Sequence, residues 1–186
     1  MSVFFSSDLH WGHQRGFLYE PRGFPSIEEH DKAILNNINE LVRPQDTLFV
    51  LGDLMLNDNE KGMEYLRAIK CNDVRVILGN HDTQARQELY QSLPNFSVLG
   101  YAYPFVHKKK NFMLSHYPML TQNMDDDKKP WQKTWNLCGH SHTKNKFDPI
   151  THSIHVELDA WDNKPVEIEQ ILELIRGENN GVAHSQ

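Results

Sequence analysis

The chain has 186 residues, enough for one domain with a sizeable core, and its 39% apolar and 24% charged content is that of an ordinary globular protein. A net charge of -6 argues against a dedicated binder of long nucleic acid. It leaves a phosphate-bearing substrate open, because a bound metal can reverse the local field.

Val3-Phe4-Phe5-Ser6-Ser7 reads as a short buried strand that delivers Asp8-Leu9-His10 and then Trp11-Gly12-His13. Residues 14–25 read as loop. Ser26-Ile27-Glu28-Glu29 has the spacing of a capping box. The helix it starts places Ile27, Ile34, Ile38 and Leu41 near one face, and Pro44 stops it. Thr47 to Leu51 is a second strand, running into Gly52-Asp53. A helix is expected from Glu60 to Ile69, with Met63 and Leu66 inward. Val74 to Leu78 is a third strand, ending at Gly79-Asn80-His81-Asp82, and Thr83 caps a short helix beyond it.

Residues 96–107 and 111–116 read as two strands around a solvated turn at Lys108-Lys109-Lys110. The second leads to Ser115-His116-Tyr117-Pro118. Residues 121–134 form a long polar loop of the kind that often serves as a functional lid. Trp135-Asn136-Leu137-Cys138 is another short run, ending at Gly139-His140-Ser141-His142. Ile150 to Leu158 reads as strand or hairpin. Pro165 marks a helix start, with a stripe of Ile168, Ile171, Leu172 and Ile175. The domain is read as residues 1–176, with 177–186 as a flexible tail.

The two cysteines, Cys71 and Cys138, match no pairing motif and read as reduced packing thiols. No apolar run approaches the roughly 18 residues of a membrane span. A cleaved signal peptide would remove the cluster at Asp8. The expected location is cytoplasmic, with no membrane partner.

The recurring unit is an apolar run with His, Asp or Asn at its far end. It occurs as Asp8-x-His10, Gly52-Asp53, Gly79-Asn80-His81-Asp82, Ser115-His116 and Gly139-His140-x-His142. The spacing of two within Asp8/His10 and His140/His142 would put each pair on one side of an extended chain. Ligands of α/β sheets gather at the carboxyl ends of strands, so converging ends would pool these side chains. Imidazole, carboxylate and amide oxygen together suit manganese, iron, zinc, cobalt or nickel. The clusters hold no Cys, which argues against a structural zinc site. Seven ligands are too many for one tetrahedral ion and suit two divalent ions sharing a carboxylate. Such a pair, with two carboxylates and a bridging hydroxide, keeps a net positive charge that would attract a phosphate ester. Ions about 4 Å apart can clamp the attacking and leaving oxygens of an in-line displacement.

In this order the five motifs resemble those of the calcineurin-like metallophosphoesterases. The stretches Asp8 to His13 and Leu158 to Val166 look like the small stand-alone branch of bacteria and phages. The resemblance implies a four-layer α/β (α+β) fold, two packed mixed β-sheets flanked by α-helices. It implies Asp8, His10, Asp53 and His142 at a first metal, and Asp53, Asn80, His116 and His140 at a second, with Asp53 bridging. Manganese is the first expectation. A metal-bridging hydroxide would attack in line, and His81 would assist the leaving group as general acid or stabilise the developing charge.

One position departs from the pattern. Protein phosphatases of this superfamily carry a further Asp three residues after the bridging one, supporting the catalytic His. Here Leu56 stands there, and Asn57, Asp58 or Asp82 would have to substitute. This moves the reading toward a phosphodiesterase on small, nucleotide-like substrates. The alternatives are a phosphomonoesterase or protein phosphatase, and a non-catalytic scaffold with the same fold.

A single His is by default a surface or core residue, but seven polar residues in family order make that reading fail jointly. His13 is expected to line the pocket and touch substrate, or else to cap a turn. Arg22 is expected to bind a phosphate oxygen bidentately, or else to form a surface salt bridge. Trp131 and Trp135 would stack on a base or pack in the core. His107, His152, His155 and His184 read as structural or exposed.

Overall fold

The computed structural model describes residues 1–121, 133–148 and 150–182. Trp131, His184 and most of the polar loop after Leu120 lie outside the described residues.

The described strands are β1 (Val3–Ser6), β2 (Thr47–Leu51), β3 (Asp73–Ile77), β4 (Phe96–Gly100), β5 (Ala102–His107), β6 (Lys110–Ser115), β7 (Thr134–Cys138), β8 (Phe147–Asp148), β9 (Ser153–His155) and β10 (Val166–Glu167). They form two five-stranded mixed sheets, ordered β10-β1-β2-β3-β4 and β5-β6-β7-β9-β8. β1 to β4 run parallel, with β10 antiparallel on the β1 edge. In the second sheet β6, β7 and β9 are parallel, and β5 and β8 are antiparallel edges.

The apolar runs are continuous because both faces of the first sheet are covered. Alternate side chains go to different cores. Phe5, Phe49, Leu51 and Ile77 meet Phe112, Leu114, Leu137 and Ile154 of the second sheet. Phe5 and Phe49 stack there at 5.3 Å between ring centroids. Phe4, Leu48, Val50, Val74 and Val76 face the other way. They pack on residues of α2 (Ile27–Leu41) and α3 (Asn59–Arg67), including Ile34, Ile38, Met63 and Leu66. α4 (Gln84–Gln91) adds Tyr90 to this core, and Ile171, Leu172 and Ile175 of α5 (Ile168–Val182) join the inter-sheet core. The two packed mixed sheets with flanking helices are as the motifs implied.

The Ser26 hydroxyl accepts from Glu29 N at 3.2 Å, the bond that a capping box requires. Asp58 caps α3 in the same way through Lys61 N at 2.9 Å. Thr83 occupies the N-cap of α4 without a side-chain cap bond.

Four local readings differ from the structure. A single strand over 96–107 is two, because Gly100 at φ 100° turns the chain out of the first sheet and Ala102 starts the second. Residues 14–25 contain a one-turn helix, α1 (Gly16–Tyr19). Pro165 precedes β10 rather than a helix, so the chain pairs with β1 before α5 begins. α5 then continues through Gly177 to Val182. Among the described residues no helix is long and apolar enough to cross a membrane.

Candidate metal and active site

β1, β2, β3, β6 and β7 all end in turns that carry the polar clusters. Past their formal ends, β1 and β2 stay in step. Asp8 N donates to Gly52 O at 3.1 Å, and His10 N to Asp53 O at 3.0 Å. The extended geometry expected for the paired residues does not occur. Asp8, His10, Asp53, His140 and His142 all lie in the left-handed region, at φ 57°, 49°, 57°, 72° and 48°. Asp and His tolerate this better than most residues, and such strain clusters at functional sites. Each left-handed residue turns the chain, so side chains two apart converge by bending rather than by pleating. The packing leaves no room for a Cβ at the glycines beside these turns, Gly52, Gly79 and Gly139. At Gly139 it would collide with Ser7 Oγ and Asp8 Oδ2, and at Gly79 with Asp53 Oδ1.

Two sets of acceptor atoms result. In the first, Asp8 Oδ1 lies 3.7 Å from His10 Nε2 and 3.6 Å from His142 Nε2, and the two imidazole nitrogens are 3.2 Å apart. In the second, His116 Nε2 lies 3.0 Å from Asn80 Oδ1 and 3.2 Å from His140 Nδ1. Asp53 Oδ2 stands between the sets, 3.8 Å from His10 Nε2 and 3.5 Å from His116 Nε2. Metal–ligand bonds of ~2.0–2.2 Å put the ligand atoms of one tetrahedral ion roughly 3.3–3.6 Å apart. The observed spacings, from 3.0 Å to 3.8 Å, straddle that range. Among the described residues the fully buried Asp8 Oδ1 has no hydrogen-bond partner, as expected for an oxygen that faces a cation. The residues present therefore fit divalent metal, and Asp8, His10 and His142 form one compact ligand group.

The charge states agree. Burial pushes Asp8 upward, but the neighbouring imidazoles of His10, His142 and His116 hold it well below the usual carboxylate range. Burial lowers His10 to about 4 against the pull of Asp8, so its ring is neutral at pH 7. Burial raises Asp53 to about 6 despite the charge of His116. At neutral pH these groups are carboxylate, neutral imidazole and carboxylate, the forms that bind metal.

Outer partners fix the ligands. His116 Nδ1 donates to Leu51 O at 2.9 Å, which leaves Nε2 as a lone pair. His142 Nδ1 faces Asp159 Oδ2 at 3.0 Å, with the same effect. Asp159 also takes Arg22 NH2 at 2.7 Å and Nε at 3.1 Å. Burial works against its charge, but the bonds from His142 and Arg22 hold it well below the usual carboxylate range. The chain of contacts continues from Arg22 to His30 at 3.0 Å, from His30 to Asp31 at 2.8 Å, and from Asp31 to Gly12 N at 2.9 Å. Glu157 Oε1 accepts from Thr143 N at 3.2 Å and anchors the turn that carries His140 and His142.

Arg22 is placed differently from the expectation of a phosphate contact. Its side chain is 1% exposed, and its nitrogens face Asp159, His30 and Asp8 O, all inside the protein. It is a buried ion pair rather than a surface one. His13 lies beside His10, with ring centroids 6.0 Å apart, and its Nδ1 meets the Asn57 amide at 2.8 Å. His81 is half-exposed, with 42% of its side chain accessible and Nε2 3.9 Å from Asp53 Oδ2. None of the three candidate supports reaches its ring. Asn57 holds His13 and Asp58 caps α3. Asp82 accepts from Gly79 N, Asp53 N and Tyr90 Oη at 2.7–2.8 Å, and so ties the β2 and β3 turns together. Trp135 is a core residue, packed near Phe147 and His152.

Two clefts open on the site. One, of about 620 Å³, adjoins His10, His81 and His142. The other, of about 670 Å³, adjoins Asn80 and Tyr117.

Two packed mixed sheets whose strand ends pool two acceptor sets around one shared aspartate define a metal-dependent phosphoesterase scaffold. The calcineurin-like phosphoesterase superfamily domain matches residues 1–156, and the chain belongs to that superfamily. It is 29% identical over 180 residues to the uncharacterized protein MJ1445 of Methanocaldococcus jannaschii, covering 93% of this chain and 90% of the relative. It is 26% identical over 203 residues to the Gene 66 protein of Mycobacterium phage D29, covering 97% and 99%. Among solved structures, a protein of unknown function from Aquifex aeolicus, AQ665, shares the fold with a TM-score of 0.69 at 22% identity, covering 93% of this chain and 98% of that one.

Proposed function

We propose that the chain is a dinuclear-metal phosphodiesterase acting on small, nucleotide-like diesters in the cytoplasm. The observation that carries this reading is the shared position of Asp53 Oδ2 between two acceptor sets. Asp8, His10, His142 and Asp53 would hold one ion, and Asn80, His116, His140 and Asp53 the other, with manganese the first expectation. When bound, the pair supplies positive charge for the phosphoryl oxygens and activates water for attack. Asp53 ties the two positions together, and Asn80 contributes an oxygen without adding negative charge. His81 belongs to neither set and is exposed enough to give a proton to the leaving oxygen. His13 lines the adjoining cleft, where a substrate would pass it. Clefts beside different ligands give each arm of a diester a place, which favours a diester over a monoester. Two buried free thiols support the cytoplasmic setting.

A side-by-side rate comparison tests this. Bis(p-nitrophenyl) phosphate should turn over faster than p-nitrophenyl phosphate when manganese, nickel, zinc or magnesium is supplied. Exhaustive chelation should abolish both rates, and manganese should restore them. A faster monoester would make the protein a monophosphatase. Activity that survives chelation would remove metal from the reading.

A further inference from the structure

The cleft beside His10 and His142 differs in chemistry from its counterpart. Phe17, Leu18, Pro21 and Leu56 give it apolar walls, with Arg15 and the bonded pair of Asn57 and His13 supplying polar groups. Small-molecule sites have this make-up and volumes of roughly 300–1,000 Å³. The counterpart is lined by Gln84, Gln87, Glu88 and Gln91 from α4 and by the hydroxyl-bearing rings of Tyr101 and Tyr117. Phe17 on α1 is 70% exposed, and its ring stands edge-on to His13 with centroids 5.4 Å apart. A single exposed apolar residue is ordinary on a protein surface. Phe17 is different because it lines a cleft that also contains His81, which belongs to neither acceptor set. His81 lines this cleft and not the other, so an arm seated here is the one whose oxygen His81 can reach.

We propose that this cleft seats the leaving arm of the diester and that the arm is a nucleoside, with its base stacked on Phe17. The assignment rests on the phosphodiesterase reading given above. In the reaction, the P–O bond to the nucleoside oxygen breaks and that oxygen takes the proton of His81. A water oxygen forms the new P–O bond, and a proton from that water returns His81 to its starting state. The products are a phosphomonoester and a free nucleoside. Base–aromatic stacking is tolerant of base identity, so the cleft selects for a planar ring more than for one base.

Adenosine is the probe, titrated into the 15N-labelled, zinc-loaded full chain and followed by amide shifts. Saturable shifts are expected at Phe17, Leu18, Leu56 and Asn57. Phe17→Ala should weaken adenosine binding by roughly five- to a hundredfold, the scale of one lost stack, and Phe17→Trp should retain it. The absence of saturable shifts, shifts centred on α4, or wild-type binding by Phe17→Ala would each overturn the assignment. Turnover of bis(p-nitrophenyl) phosphate is measured on the same preparations. Turnover without adenosine binding overturns the nucleoside seat and leaves the phosphodiesterase reading standing. Adenosine binding without turnover of any diester overturns that reading, and with it the leaving-arm role.

Discussion

His81→Ala is expected to lower kcat by roughly 10²–10⁴-fold on a diester with a poor alkoxide leaving group, with bound metal unchanged. The expectation follows from position. The His81 ring is 42% exposed, and Asp53 Oδ2 is 3.9 Å away, beyond hydrogen-bond reach. His10 and His116 approach that same oxygen, but each also faces the other atoms of its acceptor set. The His81 ring is therefore free to face substrate. Leaving-group dependence separates acid catalysis from simple charge stabilisation. Nitrophenolate leaves without protonation, so its ester should lose far less rate in His81→Ala than an alkyl ester does. Equal losses on both would assign His81 to charge stabilisation. Loss of metal, read by elemental analysis of the purified variant, would make it a ligand instead.

Asp82→Ala should be the most damaging change outside the acceptor sets, lowering stability by about 3–5 kcal/mol. One buried carboxylate holds Gly79 N, Asp53 N and Tyr90 Oη, with Leu54 N at 3.4 Å. Its removal leaves buried donors without partners and a void beside the left-handed turn at Asp53. Tyr90 is fully buried, and burial with the neighbouring Asp82 charge raises its phenol well above the usual range, so its proton stays to donate. Asp82→Asn keeps the shape and one acceptor oxygen, and should cost less than half as much. Urea unfolding of the metal-free chain at pH 7 reads the difference without interference from metal affinity. A loss under about 1 kcal/mol for Asp82→Ala would show that the two turns hold without it.

The parts of the site that the sequence displays and the parts it conceals differ in their physical basis. Asp8, Asp53 and Asn80 stand just after apolar runs, and those runs are buried strands whose ends can only be loops. Local pattern is enough to find them. The residues that orient them pair across the chain. Arg22 and Asp159 are 137 positions apart and carry no shared periodicity. Arg22 in a polar loop looks exposed until Asp159 of the Leu158–Ala160 turn and His30 of α2 meet its guanidinium. Asp159 carries one local signal: with Glu157 it alternates with Val156, Leu158 and Ala160, and charges set among apolar residues ask for partners. His30 and Asp31 lie on α2, where the apolar spacing of Ile34 and Ile38 is the stronger pattern and nothing local marks the polar pair. At Leu56 the sequence did signal a missing carboxylate. The candidate substitutes were nearby in the chain, and all three carboxylate or amide groups turned out to serve backbone and His13 instead.

The acceptor sets draw on both halves of the sandwich. Asp8, His10, Asp53 and Asn80 ride on the first sheet, and His116, His140 and His142 on the second. A cation placed there rivets the two halves, so binding free energy and folding free energy become one quantity. The unriveted chain carries clustered lone pairs and strained turns with nothing to compensate them. It opens more often and is exposed more often to proteases. In a cell short of metal, idle copies would thus be the first removed, and the surviving population would be enriched in molecules able to work.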